Sequence, residues 1–220
     1  MTGWQVELLP RRVPTSIAHF THLDNLAQIA VAGLKCDSDM GPGQLVREAG
    51  EPSIKELRRQ LPVTVEPGGV VADYVPFYFA PRSPMLFRLA KGGVPTFTGD
   101  THDLVYLVTT VESLLGRGRS LVYTDRNAAL SYAEHSNDLA RLDELVDWPL
   151  MGEKIWTNTP EDGQRKERRM AECLVHREVA WRDIETIYVF DARRRDLVVS
   201  TLEAADARVP SISVSAGLYF

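Results

Sequence analysis

Short runs rich in apolar, β-branched and aromatic residues recur along the chain between polar and Gly/Pro-bearing stretches, the pattern of strands, and one of them alternates with a period of two. Residues 16–22, 104–110, 120–123 and 184–190 read as strands, and residues 70–79 as one or two. Residues 73–85 add Pro76, Pro81 and Pro84 to a run of aromatics. Proline lacks an amide donor and fixes φ, so this stretch suits a sheet edge or a lining strand that leads into a rigid loop. Glu172, Leu174 and His176 alternate with Ala171, Cys173 and Val175. A strand with that alternation turns Glu172 away from the core, into a cleft bordered by the arginines that precede it. Helical spacing predicts a helix over 24–32, begun by Asp24 and closed by Gly33, with Leu26, Ile29 and Ala30 on its apolar side. Further helices are predicted over 54–60, capped by Ser53 and ending before Pro62, and over 86–91, 111–115 and 127–132. Residues 36–50 read as a loop, 66–69 as a turn, and 148–163 as a Trp-bearing connection punctuated by Pro and Gly. A helix or loop follows around Ala192, and the tail after Arg208 carries no clear pattern.

Strands separated by short helices, without regular βαβ alternation, favour an α+β fold over a doubly wound sheet. A chain of 220 residues suits one domain over 1–220 and can bury a substantial core without staples. Hydrophobic residues at 44% and charged residues at 25% are ordinary globular usage. No window has the roughly 18 consecutive apolar residues of a membrane span, and residues 1–5 do not open a secretory leader, so the cytoplasm is the expected compartment. Cys36 and Cys173 have no metal-ligand spacing and read as buried thiols.

A net charge of −5 argues against coating nucleic acid by bulk electrostatics. It leaves room for a local basic groove, because Arg165, Lys166, Arg168 and Arg169 are clustered, and Arg58, Arg59, Arg82 and Arg88 flank the aromatic segment. Such a run is ordinarily a solvated face. Converging in space, the two groups would instead track the phosphates of a single strand. Glutamate is depleted in strands, so Glu172 calls for a reason. It is either an exposed carboxylate paired with Arg168 or Arg169, or a reacting group. His19 is either a satisfied core histidine or a ligand-holding one.

Four segments occur in one order: His19-Phe20-Thr21-His22-Leu23-Asp24-Asn25-Leu26, Ile54-Lys55-Glu56-Leu57-Arg58-Arg59, residues 73–85, and Arg168 through His176. Together they resemble the DarT family of DNA ADP-ribosyltransferase toxins, over residues 19–189. The resemblance implies the ADP-ribosyltransferase fold, a split β-structure whose two mainly antiparallel sheets form a cleft for NAD+. NAD+ would be the ADP-ribose donor, with no metal. Glu172 would be the catalytic carboxylate, stabilising the oxocarbenium-like ribose as the bond to nicotinamide breaks. Arg58, with Arg59 as the fallback, would hold the pyrophosphate through a permanently charged guanidinium. His19, Thr21, Asn25 and Gly33 would surround the nicotinamide amide and its ribose. Tyr74, Phe77 and Met85 would supply an apolar and stacking surface. Asn127, Trp156, Arg165, Lys166, Arg168 and Arg169 would meet single-stranded DNA. Asn127 stands where family members carry His, which leaves transfer intact and the acceptor base, thymine or guanine, open. A macrodomain-type, DarG-like antitoxin or another de-ADP-ribosylating one would be the partner of a monomer. The alternatives are transfer to RNA or protein, a catalytically silent nucleic-acid-binding relative, or a regulatory nucleotide-binding domain.

Overall fold

The computed structural model describes residues 11–41 and 45–220. Part of the predicted 36–50 loop therefore lies outside the described residues, as does the start of the chain. The first half contains β1 (Ser16–His22), α1 (Leu26–Ala32), β2 (Leu34–Lys35), α2 (Pro52–Arg58), β3 (Tyr74–Tyr78) and α3 (Pro84–Ala90). Next come β4 (Leu104–Thr110), α4 (Val111–Gly116), β5 (Leu121–Thr124), β6 (His135–Ser136), α5 (Leu142–Leu145) and α6 (Trp148–Gly152). The last third holds α7 (Arg165–Arg168), β7 (Glu172–His176), β8 (Glu178–Val179), β9 (Thr186–Val189), α8 (Ala192–Ala204) and β10 (Ser211–Val214).

Among the described residues eight strands form one sheet in the order β10-β9-β4-β1-β3-β7-β5-β6, and β2 pairs with β8 in a small second one. Every pairing is antiparallel except β9 with β10, so the α+β expectation holds. The expected split has a definite position. β1 pairs with β4 along its whole length, from Ser16↔Thr110 to His22↔Leu104, but meets β3 only at Ala18↔Tyr78. Two half-sheets thus share one narrow joint.

One face of the sheet is sealed by the main core, where Ile17, Phe77, Leu107, Cys173 and Val175 pack with Leu26 and Ile29 of α1 and Val198 and Leu202 of α8. The other face is covered in two patches. Leu86 and Leu89 of α3 pack on Leu104 and Tyr106, while Val63 and Val71 pack on Tyr74, Val122 and Leu174.

Several local expectations are corrected. His22, not Asp24, accepts from the first turn of the segment leading into α1, through its ring nitrogen and Asp24 N at 3.1 Å. Glu51 is the N-cap residue of α2, and Pro52 occupies its first turn, where the missing amide costs nothing, so Ser53 is not the cap. Residues 127–132 form turns and no helix. Ala192–Ala204 is a helix capped by Asp191, whose carboxylate accepts from Arg194 N at 2.9 Å. The tail holds a strand, β10, added in parallel to β9.

Candidate active site

A cavity of about 650 Å³ opens at the joint between the half-sheets. Three successive residues of β1, His19, Phe20 and Thr21, line it. Neighbouring strand residues point to opposite faces, so the cavity reaches around the free end of that strand. From β3 only the alternate residues Tyr74, Pro76 and Tyr78 line it. Phe77, the residue of opposite parity, lies in the main core and touches the site only through its ring, 5.7 Å from that of His19. Tyr78 is the position the sequence reading missed. The prolines and aromatics of β3 obscure its alternation, and the spacing from Tyr74 is the signal that finds it.

His19 Nδ1 lies 2.8 Å from the carbonyl of Pro76, which only accepts, so Nδ1 carries the proton and Nε2 is left as an acceptor. Burial holds the His19 pKa below its ordinary 6.5, which keeps the ring neutral. Asn25 is buried behind the wall. Its amide donates to Thr21 Oγ1 at 3.1 Å and to the carbonyl of Arg47 at 2.8 Å, and accepts from Arg47 N at 2.9 Å, fastening the segment that roofs the cavity. Lys55 of α2 ties the same roof through Asp37 at 3.0 Å and Glu48 at 2.6 Å. Gly33 lines the cavity with φ +77°, and a Cβ there would stand 2.8 Å from the carbonyl of Val179. Only glycine fits that turn. Met85 also lines the cavity, and Tyr74 is anchored by its hydroxyl to Gly68 O at 2.6 Å, with burial pushing its pKa to about 12.

Glu172 opens β7 opposite Tyr78. The predicted alternation is present, but the second face is also covered, and Glu172 is 0% exposed instead of facing a cleft. It lies directly behind the cavity wall. Arg58, 8% exposed and part of that wall, donates through Nη1 to Glu172 Oε2 at 3.0 Å and Oε1 at 3.3 Å. Ala128 N donates to Oε1 at 3.1 Å. Arg58 Nη2 is buried and has no partner among the described residues, a donor held ready for an acceptor. Arg59, by contrast, is exposed and pairs with Glu56 on the same helix at 3.4 Å. Burial raises the Tyr78 pKa, with Glu172 adding to the shift, so its hydroxyl stays protonated beside the carboxylate.

The basic run before β7 is arranged unlike a free phosphate track. Arg169 is buried and donates to the carbonyls of Leu150, Met151 and Pro81 at 2.5, 2.7 and 2.9 Å. Burial lowers its pKa to about 10, and it serves the fold. Arg168 grips Asp162 in a bidentate pair at 3.0 and 2.5 Å and Asp147 at 3.1 Å. Arg165 pairs with Glu153. Lys166 is exposed and forms no ion pair among the described residues. Trp156 is buried against Phe87 and Phe220 at 5.9 and 6.4 Å, not displayed to a strand. Asn127 lines the cavity, yet its Oδ1 already accepts from Ala129 N at 2.9 Å. The arrangement can therefore hold an extended ligand along the β1–β3 joint, with a dry carboxylate and an arginine with a spare donor at one end. Among the described residues no group of three or more His, Cys, Asp or Glu could hold a metal.

The family model described as "DarT: ssDNA thymidine ADP-ribosyltransferase, DarT" matches residues 18–220. A DNA ADP-ribosyl transferase of Thermus sp. (strain 2.9) is 34% identical over 208 residues, 94% of this chain and 97% of the relative. One from Mycobacterium tuberculosis (strain ATCC 25618 / H37Rv) is 32% identical over 206 residues, 92% of this chain and 87% of the relative. The solved Thermus sp. 2.9 DarT in complex with ADP-ribosylated ssDNA has a TM-score of 0.90 at 32% identity, covering 97% of this chain and 100% of that one. The same protein in complex with NAD+ gives 0.84 at 33%, covering 95% and 99%. By the family model, the relatives and the shared fold, the chain belongs to the DarT family of DNA ADP-ribosyltransferases.

Proposed function

We propose that this protein transfers ADP-ribose from NAD+ to a thymine in single-stranded DNA and is the toxin of a toxin–antitoxin pair. The observation that carries the reading is the Glu172 carboxylate, held dry by Arg58 and Ala128 N immediately behind the cavity. A cavity of about 650 Å³ is of a size to take a dinucleotide. The unpartnered Arg58 Nη2 suits a pyrophosphate oxygen. Neutral His19 offers Nε2 to a ribose hydroxyl, beside Thr21 and Gly33, and Tyr74 and Met85 flank the nicotinamide.

As NAD+ enters, the Arg58 guanidinium turns part of its hydrogen bonding to phosphate, and Glu172 becomes available to the ribose. The bond between ribose C1′ and the nicotinamide nitrogen breaks, its electron pair leaving with nicotinamide. Glu172 stabilises the cationic ribose, a charge that develops only on the way to the transition state. A ring nitrogen of the base supplies the electron pair of the new bond to C1′, and its proton passes to Glu172 and on to solvent. Asn127 meets the edge of the base. Lys166 and the outer faces of Arg165 and Arg168 meet the phosphates.

The family description supports thymine as the acceptor. A relative from Thermosipho africanus joins a DNA ADP-ribosyl transferase to a DNA ADP-ribosyl glycohydrolase in one chain, which supports a de-ADP-ribosylating, DarG-like macrodomain as the partner here. No helix among the described residues is long and apolar enough to cross a membrane. We place the protein in the cytoplasm, acting as a monomer. Incubation with labelled NAD+ and separate DNA, RNA and protein pools, followed by mass analysis, tests the reading. An adduct on thymidine is expected, and label confined to RNA or protein would overturn it.

A further inference from the structure

Thr124 is the last residue of β5 and is fully buried. The ladder between β5 and β7 runs from Leu121↔Val175 to Tyr123↔Cys173 and stops there. One residue further on, the Thr124 hydroxyl does what a ladder carbonyl would do, accepting from the backbone N–H of Glu172 at 3.0 Å. The same hydroxyl donates to the carbonyl of Arg126 at 2.6 Å. Two residues beyond that carbonyl, Ala128 N donates to Glu172 Oε1 at 3.1 Å. A closed circuit results, running from the Glu172 backbone through one hydroxyl and one tight turn back to the Glu172 carboxylate. Other side-chain bonds of this turn, from Ala129 N to Asn127 Oδ1 and Glu134 N to Asp125 Oδ1, both 2.9 Å, from Arg126 to Asp125 and Gln164 at 2.7 and 3.2 Å, and from Asn127 Nδ2 to Met170 Sδ at 3.8 Å, shape it without touching Glu172.

We propose that Thr124 is a positioning residue for the transfer reaction, its hydroxyl fixing the Glu172 carboxylate relative to the Glu172 backbone. Arg58 is the other group that grips this carboxylate, and Arg58 is also the group that must respond to the pyrophosphate. The Thr124 circuit keeps the carboxylate oriented while that exchange takes place. The requirement is for one oxygen that accepts and donates at once. Serine meets it, whereas valine, of nearly the same volume, does neither. A misplacement of about 1 Å costs on the order of 10²-fold in rate.

This inference rests on Glu172 being the reacting carboxylate, so Glu172→Gln is assayed beside the Thr124 variants. With single-stranded oligonucleotide acceptor, Thr124→Val is expected to lower kcat about 10- to 100-fold while KM for NAD+ stays within about threefold, and Thr124→Ser is expected to remain within about threefold of wild type. Thr124→Cys, with a weak thiol in place of the hydroxyl, is expected to fall between them and decides the question if the valine variant does not fold. A purely structural role would lower the melting temperature without this split between kcat and KM. The proposal is overturned if the valine or cysteine variant keeps kcat within about twofold, if KM rises in proportion to the loss, or if serine does not restore turnover. Transfer surviving in Glu172→Gln would remove the reading of Glu172 itself. An inactive Glu172→Gln beside an unaffected Thr124→Val would remove this inference alone.

Discussion

Glu172 and Arg58 form a buried ion pair, and such a pair is kept for its chemistry more readily than for stability, since desolvation offsets most of the attraction. Removing one partner strands the other. Glu172→Ala leaves Arg58 buried and unpaired, a loss of about 3–5 kcal/mol, or roughly 6–20 °C in melting temperature for a chain of this size. Glu172→Gln keeps the volume and one oxygen to accept from Ala128 N, loses the second acceptor that faces Arg58, and is the cleaner probe because no cavity is left. Both substitutions are expected to reduce transfer at least 10²- to 10³-fold. Kinetics and thermal denaturation of the two together check this, and a stable Glu172→Ala variant would mean that Arg58 relaxes into the cavity. Arg59→Ala, at an exposed position, is expected to leave both properties unchanged. His19 sets a pH dependence. Because burial holds its pKa in the fold below 6.5, the unfolded chain takes up the proton first as pH falls. Its contribution is therefore full above 6.5 and is lost as pH drops from 6.5 through the lower folded value. His19→Gln should flatten the fall of melting temperature between about pH 7 and 5. His22 and His135, also lowered by burial, retain the rest of that fall, and superimposable curves for mutant and wild type would deny His19 a share.

Between residues and the whole fold, the basic run of α7 and its flank divides into parts with different duties. Arg169 joins the end of α6 to the Pro81 carbonyl beside β3, so Arg169→Ala removes three bonds to buried carbonyls at once. A loss of about 2–4 kcal/mol is expected, with melting lowered by roughly 4–16 °C. Lys166→Ala should leave melting unchanged and weaken DNA use alone. Thermal denaturation beside KM for oligonucleotide separates the two, and the reverse assignment would follow if Lys166→Ala destabilised the protein and Arg169→Ala did not. The same elements explain what was legible in the sequence. Residues 104–110 and 111–115 were recognisable because a β-rich apolar run, the turn to helical spacing and the stop at Gly116 are all local. Phe77 could not be told from Tyr78, because every residue of β3 is aromatic, apolar or proline and the choice of face is made by the distant β1. Asn127 and its neighbours looked helical, but side-chain bonds within the turn and the bond from Asn127 N to Glu167 O outweigh that local preference. The β10 strand is specified by its partner β9 more than by its own pattern. Four arginines and lysines in five residues announced a cluster, but not that Asp147, Asp162 and Glu153 would meet it.

At the scale of the molecule, the narrow joint between the half-sheets determines what the protein can bind. One register pair, Ala18↔Tyr78, leaves the rest of the β1–β3 seam free to part, and the cavity occupies that parting with Glu172 behind its wall. The carboxylate is reached through the cavity, so an acceptor base must be delivered into it with its reacting edge exposed. A base in a duplex would first have to be unstacked and unpaired, at a cost of a few kcal/mol, and a single strand avoids that cost. Single-stranded oligonucleotides are therefore expected to be modified at least 10²-fold faster than the same sequence in duplex form. Electrostatics should add little. The chain carries a net charge of −5, and Arg165 and Arg168 are paired internally while Lys166 is free among the described residues, so few phosphates can be neutralised. Each neutralised phosphate of a single strand contributes about −0.7 to the slope of log affinity against log salt, and one to three contacts give a slope of roughly −1 to −2. Titrating binding across a salt series checks the slope, and comparing oligonucleotides that lack thymine with ones that lack guanine, single- and double-stranded, checks the acceptor. A slope steeper than about −4 would require a phosphate track formed by breaking the Arg165 and Arg168 pairs. Equal labelling of duplex and single strand would mean that the protein extracts its base from the helix and supplies the unstacking energy itself.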